Sequence, residues 1–337
     1  MKKILNLGPM GFRDTPDKTG GIVVLYQEWL EYCDGAGVEY CSIDTNKNNY
    51  ANKIVALSHV LRQVARKMSG YDTVMLHGTI NDYLFIAPLT IMMAKLKGKR
   101  IVLRKFAGNF ASYYKKTSLL NKLLLRYVLK KADVLLWETK ELVEFGKGIN
   151  RNSHWFPNVR KDSGVRRGDE PYQRRLVFLS RVEKEKGIFS LVEAMKILGN
   201  DYKLKIYGPL SGIESDELQG ENYGYHGSVE AKKVPLIISE NDILILPTKW
   251  DTEGYPGVII EAYSAGVPVI ATPMGAIPEM ICDGETGFFT PVDDAKALAD
   301  TIRRFDNDNY PQFSANALLA YPAFDADQVN PRIYSLL

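Results

Sequence analysis

Residues 247–262 read Pro247-Thr248-Lys249-Trp250-Asp251-Thr252-Glu253-Gly254-Tyr255-Pro256-Gly257-Val258-Ile259-Ile260-Glu261-Ala262. The apolar run Ile243–Leu246 stops at Pro247, a polar loop follows, and Pro256-Gly257 leads into a helical pattern. Proline suits a first helical position, and the loop glycines free backbone amides for an anion or for sugar oxygens. Glu253 lies in the loop and Glu261 about one turn into the helix, from where its side chain can reach back toward whatever the amides hold. The plainer reading makes Glu261 a surface carboxylate. Against it stand Ala262, Ala265, Gly266, Val267 and Pro268, a closely packed helix and strand in which a carboxylate better serves as a ligand for hydroxyls.

Working outward, this strand–loop–helix unit belongs to an alternation of short apolar runs and helical patterns, which signals parallel α/β sheets. In the C-terminal half strands fit Leu176–Ser180, Lys203–Tyr207, Tyr223–His226, Ile243–Leu246, Val267–Ala271 and Gly287–Thr290. Helices fit Ile188–Leu198, Glu230–Ser239, Gly257–Ala265 and Asp294–Phe305. In the N-terminal half strands fit Lys3–Leu7, Glu39–Ile43, Thr73–Leu76, Arg100–Arg104, Val134–Trp137 and His154–Phe156. Helices there fit Ile22–Ala36, Ala51–Ser69, Tyr83–Lys97, roughly Tyr114–Lys131, and Glu138–Gly146. The polar stretch Pro157–Pro171 reads as the linker, and a last helix near Asp325–Leu337 is expected to pack back across the first half. Two doubly wound halves facing each other would enclose a cleft at the carboxyl ends of both sheets.

The bulk figures agree. A chain of 337 residues suggests about two domains, and 45% hydrophobic with 25% charged residues excludes a disordered, collagen-like or disulfide-stapled protein. Mean hydropathy is -0.18 and no apolar run reaches the length of a membrane span. Met1–Leu5 resembles the start of a signal peptide, but Gly8-Pro9 and Arg13-Asp14 cut the run short, so a first buried strand is expected. Three cysteines (Cys33, Cys41, Cys282) without CxxC spacing point to a reducing cytoplasm and no structural zinc.

The net charge of +3 hides a split: residues 1–160 hold 25 Lys/Arg against 13 Asp/Glu, the remainder 18 against 27. Between Tyr83 and Ala132 there are 12 basic residues and no acidic one. On a helix over 114–131, Lys115, Lys122, Arg126 and Lys130 share a face bordered by Leu119 and Leu129, while Leu120, Leu124, Tyr127 and Val128 are expected to point into the core. Such a stripe suits an anionic bilayer surface. The plainer reading is a solvated helix face. Nucleic acid is disfavoured, because aromatic interleaving and binding-module motifs are missing.

Two further spots invite a phosphate. Gly20-Gly21 follows the first strand and opens the first helix, although neither GxGxxG nor a Walker loop is present. In Ser180-Arg181-Val182-Glu183-Lys184-Glu185-Lys186-Gly187, Arg181 and Lys186 sit where a strand ends and a helix begins, a place for a diphosphate. The plainer readings are a turn and charged loop decoration.

Glu253-Gly254-Tyr255-Pro256 through Glu261-Ala262, Ala265–Thr272, Gly275, Pro278-Glu279 and Gly284-Glu285-Thr286-Gly287 together resemble the group 1 (family 4) retaining glycosyltransferases of GT-B fold. The two glutamates match that family's E-x7-E motif, Arg181 and Lys186-Gly187 its Arg and Lys-Gly, and Gly20-Gly21 its N-terminal Gly-Gly loop. The resemblance is strong over Leu176–Thr290 and looser over the first half. It implies an acceptor-binding Rossmann-like domain over 1–160, a nucleotide-sugar-binding one over 161–323, and a returning helix over 324–337.

The resemblance further implies that Glu261 holds the ribose of the donor, while Arg181 and Lys186 neutralise the departing diphosphate. Glu253 and the amides of Gly254, Tyr255, Pro256 (which can offer only its carbonyl), Gly257 and Val258 would hold the donor sugar and β-phosphate, with Gly20-Gly21 closing over it. The donor is expected to be UDP- or GDP-linked, the acceptor a glycan or lipid-linked molecule of polysaccharide or lipopolysaccharide assembly. Location would be cytoplasmic, peripheral on the inner membrane face. Cations can do here what a metal does elsewhere, so no metal is expected. One departure stands out: the family's His-Gly after the fourth or fifth strand is replaced by Arg104-Lys105-Phe106-Ala107-Gly108. His77-Gly78 follows the preceding strand, Thr73–Leu76, and could reach the cleft to contact sugar or acceptor, unless it is structural. His59 and His154 read as structural or surface residues. A nucleotide-sugar 2-epimerase of the same fold and a non-catalytic partner subunit are the rival readings.

Overall fold

The computed structural model describes residues 2–11, 21–106 and 110–337. The chain divides into two units, Met1–Val159 with Ala326–Leu337, and Arg160–Asp325.

The first unit runs β1 (Ile4–Gly8), α1 (Gly21–Gly35), β2 (Tyr40–Asp44), α2 (Lys53–Lys67), β3 (Thr73–Gly78), α3 (Ile80–Phe85), α4 (Ala87–Leu96), β4 (Arg100–Lys105), α5 (Phe110–Lys116), α6 (Leu119–Lys131), β5 (Val134–Trp137), α7 (Lys140–Lys147) and β6 (Ser153–Trp155). Its six strands are parallel in the order β2-β1-β3-β4-β5-β6. Alternate residues face opposite sides, so each strand feeds two cores. Val74, Leu76, Ile101, Leu103 and Leu135 pack under α2, α3, α4, α6 and α7. Met75, Val102, Val134 and Leu136 pack with Trp29 and Cys33 of α1. That second face also buries Val329 and Ile333 of the last helix, Ala326–Leu336, as expected of a helix returning to the first half.

The second unit runs β7 (Arg175–Leu179), α8 (Ile188–Leu198), β8 (Lys203–Tyr207), β9 (Tyr223–Tyr225), α9 (Val234–Ser239), β10 (Ile243–Leu246), α10 (Gly257–Ala265), β11 (Val269–Ala271), β12 (Gly287–Phe289), α11 (Ala295–Ile302) and α12 (Tyr310–Ala320); the returning helix is α13. The strands are parallel in the order β12-β11-β10-β7-β8-β9, so the order reverses between β7 and β10. Crossovers leave to opposite faces on either side of that point, and the loops after β7 and β10 part to leave a crevice.

Three expectations need correction. The helix over Tyr83–Lys97 is two helices, because Pro88 stands at the start of α4 and supplies no N–H to continue α3. The basic helix breaks at Thr117-Ser118, where Ser118 Oγ accepts from Asn121 N at 3.4 Å and starts α6 afresh. Lys115 therefore lies on α5, apart from Lys122, Arg126 and Lys130. The buried face of α6 is Leu125, Val128 and Leu129, so Leu129 is core, whereas Leu120 (75% exposed) and Tyr127 (43%) face out beside Leu119 and Leu123. The stretch Pro157–Pro171 contains the crossing between the units, at Val159 and Arg160. Phe156 and Val159 belong to the first core, and Arg167 Nη2 reaches the buried Asp242 carboxylate of the second at 2.8 Å.

Candidate active site

The residues that sequence reasoning selects in the second half meet at the crevice between β7 and β10. After β7 the chain forms a short 3-10 turn, Lys184–Lys186, and Gly187 then takes a left-handed conformation (φ 74°) to enter α8. A Cβ at Gly187 would overlap the Pro247 carbonyl at the end of β10, so only glycine lets the two loops close on each other. Lys249 N donates to Glu185 O at 2.8 Å and stitches them together.

Lys186, buried, places Nζ 2.5 Å from Glu253 Oε2, and buried Thr248 Oγ1 donates to the same oxygen at 3.2 Å. The Glu253 backbone is clamped from beneath: Ala276 N donates to its carbonyl at 2.8 Å, and Gly275 (φ 54°) lies where any Cβ would strike that carbonyl. Arg181, 58% exposed, forms a 3.2 Å ion pair with Glu183. Its guanidinium and the Lys186 ammonium stand 5.9 and 5.8 Å from the Trp250 ring centre, within the range of cation–π attraction. Trp250 thus gathers both cations, a role its place in the loop sequence did not announce.

Pro256 caps α10, so Gly257, Val258 and Ile259 provide the first helical amides, and Ile259 N folds back on Pro256 O at 3.1 Å. A side chain at Gly257 would run into the Arg160 guanidinium, whose Nε donates to Glu261 Oε1 at 3.1 Å. Burial pushes the Glu261 carboxyl upward, with the Arg160 charge opposing. Glu261 therefore sits about a fifth exposed beside the helix tip as expected, but already held by an arginine that sequence reading assigned to the linker. The Tyr255 side chain is buried, donates to Glu279 Oε2 and packs edge-on against Phe324, so its role is to fix the loop. Gly254 lies between Glu253 and Tyr255 in the same loop.

In the first unit Gly21 is the first residue of α1, while Gly20 lies outside the described residues, as do Ala107 and Gly108. His77 is not past the strand but within β3, wholly buried, with Nε2 3.4 Å from Asn6 Oδ1 and its ring against Tyr26, Trp29 and Phe106. Burial, aided by Arg104, holds its pKa well below the ordinary value. It is a neutral core histidine. His154 bonds Asn152 Oδ1 at 2.6 Å, and His59 stacks on Tyr50. Arg104 and Lys105, at the carboxyl end of β4, are both buried, and burial pushes Lys105 down to about 8 against the pull of Glu138 and Asp82. Among the described residues no group of three His, Cys, Asp or Glu is disposed to hold a metal.

Chemically, two cations, a helix tip and a clamped carboxylate in one crevice suit an anion bearing hydroxyl groups. Comparison with known proteins gives the class. Residues 166–318, somewhat under half of the chain, match the family described as Glycosyl transferases group 1. The second unit thus resembles a group 1 glycosyl transferase domain, and the two six-stranded parallel sheets with their helices match the GT-B fold. Among solved structures, Anabaena Alr3699/HepE in complex with UDP superposes with a TM-score of 0.76 at 15% identity, over 99% of this chain and 98% of that one.

Among curated relatives, an uncharacterized 41.2 kDa protein in the cps region of Klebsiella pneumoniae is 24% identical over 78% of each chain. The putative teichuronic acid biosynthesis glycosyltransferase TuaC of Bacillus subtilis (strain 168) is 25% identical over 77% of this chain and 48% of its own. The chain therefore spans about half the length of that named glycosyltransferase.

Proposed function

We propose that the chain is a glycosyltransferase that moves a sugar, with retention at the anomeric carbon and without a metal ion, from a UDP- or GDP-linked donor to a glycan or lipid-linked acceptor in polysaccharide or lipopolysaccharide assembly. The observation that carries this reading is the convergence of Arg181, Lys186, Trp250 and Glu253 beside the α10 tip. Cleavage of the donor builds negative charge on a leaving diphosphate and positive character on the sugar. Arg181 and Lys186 would take up the former, displacing part of the present pairing with Glu183 and Glu253. Glu253, freed toward the sugar, would bind its hydroxyls, the N–H groups of Gly254, Tyr255, Gly257 and Val258 the β-phosphate and sugar oxygens, and Glu261 with Arg160 the ribose. Gly20-Gly21 would close the site from the first unit.

The UDP complex of the Anabaena protein and the polysaccharide role named for the Bacillus relative support a nucleotide-sugar donor and an envelope polysaccharide product. An inner-membrane-face location in the cytoplasm would fit the basic first half, through Lys122, Arg126 and Lys130 of α6. Among the described residues no helix is long and apolar enough to cross a membrane.

A panel of UDP-, GDP- and ADP-sugars tests the proposal through donor binding by calorimetry and slow donor hydrolysis by the whole chain. One donor should bind, and Arg181→Ala or Lys186→Ala should lower turnover about 10²–10³-fold, the loss typical of one charge-stabilising donor. Glu261→Ala should chiefly weaken donor binding. Wild-type turnover in both cation variants would contradict the assignment.

A further inference from the structure

A cavity of about 380 Å³ opens in the first unit, a size ordinary for a small-molecule site. Its polar end is formed by Thr45, Lys47, Asn81 and Asp82, which follow β2 and β3 and so stand at the carboxyl edge of the sheet, where sheets of this kind bind ligands. Lys53, the first residue of α2, adds a second ammonium group. Asp82 Oδ2 accepts from Thr79 N and Oγ1 at 2.7 and 2.8 Å, and its carboxylate feels the charge of Lys47, so two lysines against one acid leave the lining net positive. The rest of the wall is aliphatic: Leu57 and Val60 of α2 and Ile86 after α3.

The rim is apolar as well. Ile54 is 80% exposed and Phe85 59%, although both line the cavity. The ten large apolar residues that the described part of the first unit leaves exposed all lie on α2, α3, α4 and α6, the helices over one face of the sheet. A site for free sugar would instead need a wall of donors and acceptors, since a buried hydroxyl left unpaired is costly. Apolar walls under a cationic mouth match a molecule with an anionic end and a hydrocarbon chain.

We infer that this cavity holds the phosphate-bearing end of a single hydrocarbon chain, Lys47 and Lys53 pairing with the phosphate and Leu57, Val60 and Ile86 covering the first carbons. The inference rests on the transferase reading for its meaning, and within it makes a lipid phosphate, rather than a free glycan, the anchor of the acceptor.

Dodecyl phosphate below its micelle concentration serves as the probe, titrated calorimetrically into the whole chain beside inorganic phosphate and dodecanol. Saturable binding of dodecyl phosphate is expected, with the other two at least tenfold weaker. Lys47→Glu with Lys53→Glu, two exposed lysines outside the donor site, should weaken it at least tenfold, and Ile54→Gln severalfold, with nucleotide-sugar binding unchanged as proof of folding. Inorganic phosphate binding as tightly would make the site a simple anion site. Dodecanol binding as tightly would remove the lysines from it, and no saturable binding would end the inference. Loss of the transferase reading would show instead as failure of every nucleotide-sugar to bind, which the dodecyl phosphate titration does not depend on.

Discussion

At the scale of single residues, the structure sorts titratable groups by whether they are held for chemistry or for packing. His77 carries the clearest consequence. Its imidazole is wholly buried among Tyr26, Trp29 and Phe106 and held well below the usual value by burial and by Arg104. The sign follows directly. The unfolded chain takes up a proton near pH 6.5 that the folded core refuses until far lower pH, so the unfolded state binds more protons in that window. Stability is complete above about pH 6.5 and falls as pH drops below it, by about 1.4 kcal/mol per pH unit for one group. His77→Asn should remove that component. Urea unfolding of a Trp250→Phe chain, in which all three remaining tryptophans report on the first unit, should show at pH 7 and pH 5 a smaller acid-induced loss with His77→Asn than without it. Equal losses would mean that His77 accepts its proton in the folded state.

At the scale of elements, the two loops that build the proposed donor site were legible and their supports were not. The reversal of strand order places whatever follows β7 next to whatever follows β10, so Arg181, Lys186 and Glu253 could be assigned to one crevice from alternation and motif. Helices Ile188–Leu198 and Gly257–Ala265 are found where periodicity placed them. Arg160 and Trp250 escaped, because a charged linker and a polar loop offer many side chains and no period says which one turns inward. Helix α12 escaped for the same reason: Tyr310–Ala320 has apolar residues nearly all round, and its start at Asn309 resembles a turn.

Helix α6 shows the opposite failure. Its period was read, but with the wrong phase, since a leucine-rich stretch with basic residues between permits two inward faces. Packing on α3 and α4 selects Leu125, Val128 and Leu129. The outward face then carries Leu119, Leu120, Leu123 and Tyr127 among Arg126, Lys130 and Lys131. Basic and apolar groups on one exposed face bind anionic bilayers through both terms, about 1 kcal/mol per basic residue near the surface plus the buried apolar area. Flotation with vesicles containing one-third anionic lipid should recover the chain. Leu120→Glu with Leu123→Glu should cut recovery about tenfold without altering nucleotide-sugar binding. Equal recovery of parent and variant, or recovery from neutral vesicles alone, would leave α6 a solvated surface.

At the scale of the whole molecule, the chain crosses into its second unit at Arg160 and returns to the first at Ala326, so the first unit is completed last. Its second core is built from both ends of the sequence: Trp29 and Cys33 of α1 pack with Val329, Ile333 and Leu337, and Arg100 Nη2 donates to Leu336 O at 2.9 Å. The three apolar side chains from the C-terminal segment are at most 3% exposed. At about 1.5–3 kcal/mol for each fully buried side chain, their removal would cost roughly 5 kcal/mol or more, against a total stability of about 5–15 kcal/mol for a domain. A chain stopped after Asp325 should therefore lose the first unit and keep the second. Trypsin should cut within residues 2–159 while a fragment beginning near Arg160 persists, and the bound nucleotide-sugar should still protect that fragment. Ile333→Ala, costing about 2–5 kcal/mol, should give the milder form of the same pattern. Digestion that destroys both units together would show that the second unit depends on α13 as much as the first, and that the division at Arg160 is one of geometry without independent stability.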